Sequence, residues 1–397
     1  MELKTKTESL DIPESWEQTP LANICTLYNG RAFHRSEWES QGTPVIRLQN
    51  LTGGDDYYYS TLKLPPSKYC SEGDLLYMWS ATFGPTIWKG PKAIYHYHIW
   101  KVDVKNSIAS KNFLYFKLSE ITQRLKERET SGSTMLHLTK QKMEKTDVLL
   151  PPLPEQRAIA DALSDVDALI ERLDALIAKK RAIKTATMQR LLTGTQRLPG
   201  FDGDWTTKRL GEVTQIVNGG TPSSSVDAYW GGKIPWCTPT DITGTSGRFL
   251  SETERNITEK GLANSSATLL PKGSLLLCSR ATVGEVKIAT TPITTNQGFK
   301  SLICDSDTSN QYLYYLLLTM KSDLEEVSSG STFLELSKRS AAALEITLPP
   351  LEEQKAIATI LSDMDAEIEA LQARRDKTQD IKQGMMQELL TGRTRLV

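Results

Sequence analysis

The sequence predicts a mixed α/β fold: two similar domains with curved sheets, joined by two long helices packed as an antiparallel coiled coil, in a pseudo-twofold internal repeat. Three observations predict it. A 41-residue stretch from Pro154 returns from Glu352 with 23 identities and no gap, too many for two unrelated amphipathic helices. The likeness extends into the globular parts: residues 16–30 match 205–219, 73–84 match 273–284, and 132–140 match 330–338. Finally, each copy of the long stretch carries apolar residues at alternating steps of four and three, the signature of a helix that packs on another.

Taken in order, residues 1–150 read as a first globular domain, 151–196 as a first long spacer helix, 197–348 as a second domain and 349–397 as a second spacer helix. Within each domain, short apolar runs such as DLLYMWS and SLLLCSR between Gly, Pro, Ser and Thr punctuation predict strands. Helices are expected near residues 112–129 and 311–326. The spacer seams are Ile159, Leu163, Val166, Ile170 and Leu173 in the first copy, and Ile357, Leu361, Met364, Ile368 and Leu371 in the second. Prolines before each copy, Glu155 and Gln156 in the first turn, and Gly194 after the last supply start and stop signals. About 39 residues at about 1.5 Å each gives a rod of about 58 Å, which would hold the two domains at a fixed spacing.

Composition narrows the class. A chain of 397 residues, 39% hydrophobic and 24% charged, is globular, and a formal net charge of -1 disfavours a uniformly cationic nucleic-acid binder. The polar N-terminus and short apolar runs predict a cytoplasmic protein, and five scattered cysteines fit reduced thiols there. Catalytic signatures are missing: no phosphate-loop motif, no Gly-x-Gly turn, and no Asn before any Pro-Pro pair. Glu285-Val286-Lys287 is half of a nuclease motif without its upstream aspartate. His96 and His98 form an H-x-H that reads as a strand pair, not a metal site. Trp16 and Trp205 read as matching core anchors, and Trp230 and Trp236 as parts of a packed loop.

The motifs LPPLPEQRAIADALSDVDALI and LPPLEEQKAIATILSDMDAEI with their LLTG endings resemble the specificity subunits of type I restriction-modification enzymes. So do VNGGTPSSSVDAYWGGKIPWCTPTDITG, CSRATVG, TTNQGFKSLI and GSTFLELSK in the second domain. The first domain follows the pattern more loosely, with WSATFG for CSRATVG and no NQGF block. The resemblance implies a non-catalytic subunit whose two target recognition domains each read half of a split, non-palindromic DNA target. It implies as partners double-stranded DNA, two modification (methyltransferase) subunits and restriction/translocase subunits. It places S-adenosylmethionine, ATP and Mg on those partners, with no cofactor or metal in this chain. A structural adaptor with two protein-binding domains is the alternative reading.

Side chains with donors and acceptors in polar loops are the candidate DNA contacts. In the first domain these are Arg31, Arg47, Gln49 and Asn50, with Tyr57 and Tyr58 as groove or stacking residues. In the second they are Thr221, Ser223, Lys233, Asp241, Ser279, Arg280, Asn296 and Gln297. The late-helix basic residues Lys179, Lys180, Arg181, Lys184, Arg374, Arg375, Lys377 and Lys382 read as a solvated or partner-facing side, with phosphate contact as the competing reading.

Overall fold

The computed structural model describes residues 12–80, 82–129, 138–328 and 335–396. The chain divides into two compact units, Met1–Arg172 with Arg375–Val397, and Leu173–Arg374. The long helices run Leu153–Leu191 and Leu351–Leu389, so each gives part of its length to each unit.

The first unit holds strands β1 (Glu17–Pro20), β2 (Cys25–Asn29), β3 (Thr43–Ile46), β4 (Tyr58–Ser60), β5 (Tyr69–Cys70), β6 (Leu75–Met78), β7 (Gly84–Ile87), β8 (Ala93–Tyr95), β9 (Ile99–Val104) and β10 (Asp147–Leu150). They form three sheets in the orders β1-β10, β2-β9-β6-β7 and β4-β3-β8-β5. All four residues of β6 (LLYM) are buried, as an apolar run covered on both faces must be. The helix Lys111–Glu129 packs behind, and Phe113, Leu114, Leu118 and Ile121 join Trp16, Leu75 and Trp100 in the core.

The second unit repeats the plan with β11 (Thr206–Arg209), β12 (Thr214–Asn218), β13 (Trp230–Cys237), β14 (Phe249–Leu250), β15 (Arg255–Ile257), β16 (Leu275–Cys278), β17 (Val286–Ala289), β18 (Thr294–Thr295), β19 (Phe299–Cys304) and β20 (Glu345–Leu348). Its sheets are β11-β20, β12-β19-β16-β17-β14 and β15-β13-β18. The register repeats as well: Leu75 faces Val102 and Met78 faces Ile99, while Leu275 faces Leu302 and Cys278 faces Phe299. The two units differ at one sheet edge. The five-stranded sheet carries β14 outside β17, whereas the sheet of the first unit ends at β7. The helix expected over 311–326 is interrupted. It runs Asn310–Thr319 and restarts at Lys321 after Met320 leaves helical dihedrals (φ -99, ψ 18). The Thr319 hydroxyl donates to the Leu316 carbonyl at 2.7 Å, one of the local bonds that compete with helix continuation.

Within each unit the helix segments run antiparallel. In the first, Asp167 meets Lys382 at 2.5 Å and Glu155 meets Arg395. In the second, Lys180 meets Glu367 at 2.6 Å, Lys184 meets Asp365, and Arg197 meets Glu353. The pairs Asp167–Lys382 and Asp365–Lys184 occupy equivalent positions of the two repeats. These contacts correct part of the expectation for the basic run, since Lys180, Lys184 and Lys382 are spent on the opposite helix.

The seam has a second duty. Ile159 and Leu163 enter the first unit's core beside Met386, Leu389 and Leu390, and Ile357 and Leu361 enter the second unit's core beside Tyr312 and Leu313. Leu173 and Ile368 are also buried, while Val166, Ile170, Met364 and Leu371 are half-buried. An apolar arc wider than a strict coiled-coil stripe serves a domain and a neighbouring helix at once.

The repeated PPL-x-E-Q motif builds a joint in each unit. Trp16 Nε1 donates to Glu155 at 3.1 Å, and Arg395 Nε and an Arg395 terminal nitrogen grip the same carboxylate at 2.5 and 2.7 Å. Trp205 and Arg197 hold Glu353 in the same way, at 3.2 Å for the indole and 2.7 Å for each guanidinium contact. The neighbouring glutamines cap a loop: Gln156 accepts from Ser110 N and donates to Ile108 and Pro151 carbonyls, and Gln354 does so with Ser309, Asp307 and Pro349. Each arginine is delivered by a chain reversal after the LLTG ending, where Gly194 (φ +71) and Gly392 (φ +80) adopt the left-handed conformation that closes a helix.

Candidate nucleic-acid interface

The candidate contacts of the first unit gather around one aromatic cluster. Arg47 caps a short helical turn, Leu48–Leu51, and its guanidinium lies 4.1 Å from the Tyr58 ring centroid and 5.3 Å from that of Trp38. The Tyr58 and Trp38 rings are themselves 3.7 Å apart. Arg47 and Gln49 both donate to the Asp56 carbonyl, which fixes the loop that carries Tyr57 and Tyr58. Tyr57 is half-buried against the β3–β8 core and Tyr58 is exposed. Arg31 is held by Glu37 and stacks 4.4 Å over Phe33. That hydrogen bond, with a further one from His34 N, draws the Glu37 carboxyl below its ordinary pKa.

Asn50 has a different place from the one expected. It is buried, accepts from Arg47 N at 2.9 Å and donates to the Asp56 and Gly54 carbonyls, so its amide is consumed in shaping the loop. Asp241 and Ser279 in the second unit are similar. Asp241 accepts from the Thr238 amide and hydroxyl and from Glu254 N. Ser279 is fully buried, with its hydroxyl 3.4 Å from Lys300 Nζ. Burial of Lys300 lowers its pKa, opposed by Glu335.

The remaining candidates of the second unit reach the surface. Thr221 and Gln297 hydrogen-bond to each other, which ties the loop after β12 to the turn before β19. Ser223 pairs with Ser225 at 2.9 Å, Lys233 is exposed on β13, and Arg280 is ion-paired to Glu335 at 2.8 Å. Asn296 accepts from Gly298 N and thereby sets the turn that presents Gln297. Beside Arg280, Ala281 takes φ +60, uncommon for a residue with a Cβ. Trp230 and Trp236 are packed, but on strand β13 and not in a loop: their rings are 4.9 Å apart and Arg255 covers Trp230 at 3.7 Å. The GSTMLHLTK and GSTFLELSK motifs fall largely outside the described residues.

Equivalent hydrogen bonds reveal what the sequence reading missed. His96 N donates to the Ile46 carbonyl as Asn296 N does to Cys237, and Trp79 N donates to His98 as Ser279 N does to Gly298. The first unit therefore fills the NQG turn with His96-Tyr97-His98. Tyr97 stands where Gln297 does and is exposed, and Trp79 packs edge-on against both Tyr97 and His98. Burial, then His98 and Arg47, depress the His96 pKa to about 4, so its ring is neutral at physiological pH. The offset of 200 between GDLLYMWS and GSLLLCSR, carried forward, was the signal for this match.

A family model described as the type I restriction modification DNA specificity domain matches residues 13–179 and, a second time, residues 202–378. The chain belongs to that family. It is similar to the type I restriction enzyme MjaIX specificity subunit of Methanocaldococcus jannaschii, 45% identical over 168 residues, covering 42% of this chain and 39% of that relative. The MjaVIII specificity subunit of the same organism is 25% identical over 422 residues, covering 98% and 95%. The EcoBI specificity subunit of Escherichia coli is 28% identical over 207 residues, covering 51% and 43%. Among solved structures, a type I restriction-modification S subunit from M. genitalium aligns with TM-score 0.60 at 16% identity over 98% of this chain and 99% of that one. A chain from a structure on complex assembly and conformational transition of the type I R-M system also gives 0.60, at 20% identity over 96% and 98%. These two likenesses show the fold.

This specificity-domain family is one of DNA-recognition subunits that are not themselves catalytic. Among the described residues no group of three or more His, Cys, Asp or Glu side chains is arranged to hold a metal, and no helix is long and apolar enough to cross a membrane.

Proposed function

We propose that this chain is the DNA-specificity subunit of a type I restriction-modification system, acting in the cytoplasm. Residues 1–150 read one half of a bipartite, non-palindromic target and residues 197–348 read the other. The segments 151–196 and 349–397 fix the gap and dock two methyltransferase subunits, with restriction subunits joining them. The adenine methylation and cleavage belong to those partners, which bring S-adenosylmethionine, ATP and Mg. One observation carries the reading. A family model matched twice lies on one scaffold built twice, and equivalent turns of that scaffold present unlike side chains, His96-Tyr97-His98 against Asn296-Gln297-Gly298.

Within this reading the contact set is Arg31, Arg47, Gln49, Tyr57, Tyr58 and Tyr97 in the first unit. In the second it is Thr221, Ser223, Lys233, Arg280, Asn296 and Gln297. Asn50, Asp241 and Ser279 shape the loops that carry them. An arginine reads guanine through a bidentate contact, and a glutamine reads adenine. Methylome sequencing of a host carrying this chain and its modification subunit tests the proposal. The expected result is a split adenine-methylated motif of which one half changes when residues 1–150 are exchanged for those of a relative. Absence of such a motif, or a motif indifferent to the exchange, overturns it.

A further inference from the structure

The two units differ at one edge of their principal sheets, and the second unit shows what the first lacks. In the second unit β14 lies parallel to β17, with Phe249 opposite Ile288 and Leu250 opposite Ala289. Ile288 N donates to the Arg248 carbonyl and Thr290 N to that of Leu250, each at 2.9 Å. Arg248 turns off this strand toward the long helix. Its guanidinium donates to the Tyr315 hydroxyl at 2.7 Å and to Ser362, and lies 3.7 Å from Asp365, which Lys184 also holds.

Among the described residues, nothing fills the equivalent place in the first unit. Ile87 corresponds to Ile288, because each faces the matching leucine of the neighbouring strand, Leu75 or Leu275. Trp88 N bonds to Asp74 as Ala289 N bonds to Ser274, which extends the match to Lys89 and Thr290. Among the described residues no strand pairs with the outer edge of β7. All four residues of β17 are buried, but Pro85, Thr86 and Ile87 of β7 are half-exposed. A cleft of about 380 Å³ opens beside that edge, lined by Thr86, Ile87, Phe116, Ser164, Asp167 and Glu171 among others. Ser164 and Asp167 are the repeat equivalents of Ser362 and Asp365, and Lys382 holds Asp167 as Lys184 holds Asp365. The Tyr315 hydroxyl alone has no counterpart, since Phe116 stands there: Ser110 N bonds to Gln156 as Ser309 N does to Gln354, and Lys382 lies over the Phe116 ring as Lys184 does over that of Tyr315. Lys89 reaches Glu171 at 3.4 Å across the mouth, but both side chains are mostly exposed and such a pair is weak.

We propose that the β7 edge and its acidic cleft form a docking site for an extended segment of a partner protein, added parallel to β7 with an arginine between Ser164 and Asp167. Strand addition supplies the backbone bonds and the cleft selects the side chain. The chain's own Gly247-Arg248-Phe249-Leu250 is the template: an arginine one residue before two apolar residues, approached by a glycine. A planar guanidinium fits a carboxylate and a hydroxyl on one helix face better than an ammonium does.

The probe is a synthetic peptide with the sequence of residues 243–252, TGTSGRFLSE, titrated against the full chain and followed by amide hydrogen exchange. One peptide should bind per chain and protect the Ile87 and Lys89 amides. Replacing the peptide's arginine by alanine should weaken binding about tenfold or more, the scale of a charge-assisted bond to a carboxylate. Ser164→Ala and Glu171→Gln should each weaken it severalfold while leaving thermal unfolding unchanged. Asp167→Asn should weaken it too, although it also loses the pair to Lys382. Equal binding of the arginine-free peptide overturns the proposal. So does protection confined to Ile288 and Thr290, which would mean that the peptide only exchanges with β14.

Discussion

Glu155 and Glu353 are the side chains on which most of the duplicated motif converges. Each is a buried carboxylate at the start of a long helix, satisfied by an indole N–H and a two-pronged arginine. For Glu155, burial alone would raise the carboxyl pKa, but the hydrogen bonds from Arg395 and Trp16 outweigh it and the pKa lies below the ordinary value. A carboxyl with a lowered folded-state pKa adds stability that is present above its unfolded pKa, about 4.3, and is lost as pH falls through the folded value. Acid should therefore loosen the first unit's joint below about pH 4. Glu155→Gln should lower the melting temperature at pH 7 and flatten its decline between about pH 5 and 3, read by thermal unfolding at each pH. A melting curve with the wild-type acid dependence would refute the role of this joint. The thiols take no part in such chemistry: burial pushes Cys25, Cys70 and Cys304 up to about 12 and Cys278 to about 11, and Cys237 is raised as well.

At the scale of elements, the long helices owe their pairing to both an apolar stripe and a repeated ion pair. Asp167–Lys382 and Asp365–Lys184 recur because the segments that carry them are copies. Lys382→Ala should cost about 1 kcal/mol or less, since the pair is half-buried and partly screened. The basic run must be divided accordingly. Lys180, Lys184 and Lys382 face the opposite helix, whereas Lys179, Arg181 and Lys377 are exposed. In DNA binding by the assembled complex, Lys179→Ala with Arg181→Ala should leave the salt dependence unchanged if the exposed side is solvated. A drop in slope of about one per lost phosphate contact would restore the phosphate reading.

At the scale of the whole molecule, duplication followed by divergence puts unlike side chains on equivalent turns. If each unit reads its own half-site, Tyr97→Ala should relax the methylated motif in one half only, and Gln297→Ala in the other only. A wrong base pair costs about 1–3 kcal/mol where a contact reads it, so relaxation should be visible as new methylated variants. Methylome sequencing of the two variants decides. Relaxation of both halves by either substitution would contradict a division of labour between the units.

The repeat, the strand-rich character of each unit, both long helices and the family were legible in the residues. Periodicity, punctuation and duplication are local or linear properties of a chain, and the PPL-x-E-Q and LLTG motifs are contiguous. Partners that lie far apart in sequence were not legible. Nothing linear joins Glu155 to Arg395, Arg248 to Ser362 or Asp167 to Lys382. The inward turn of Asn50 and Asp241 was hidden for another reason: their polarity suggested surface contact, while closure of their own loops consumed their hydrogen bonds. By itself, then, the sequence determined that one architecture is built twice and which elements compose it. Tertiary structure alone decided which polar side chains remain available at the surface, and that among the described residues β7 lacks the neighbour that β17 has, because hydrogen bonds and burial are settled only when the chain closes on itself.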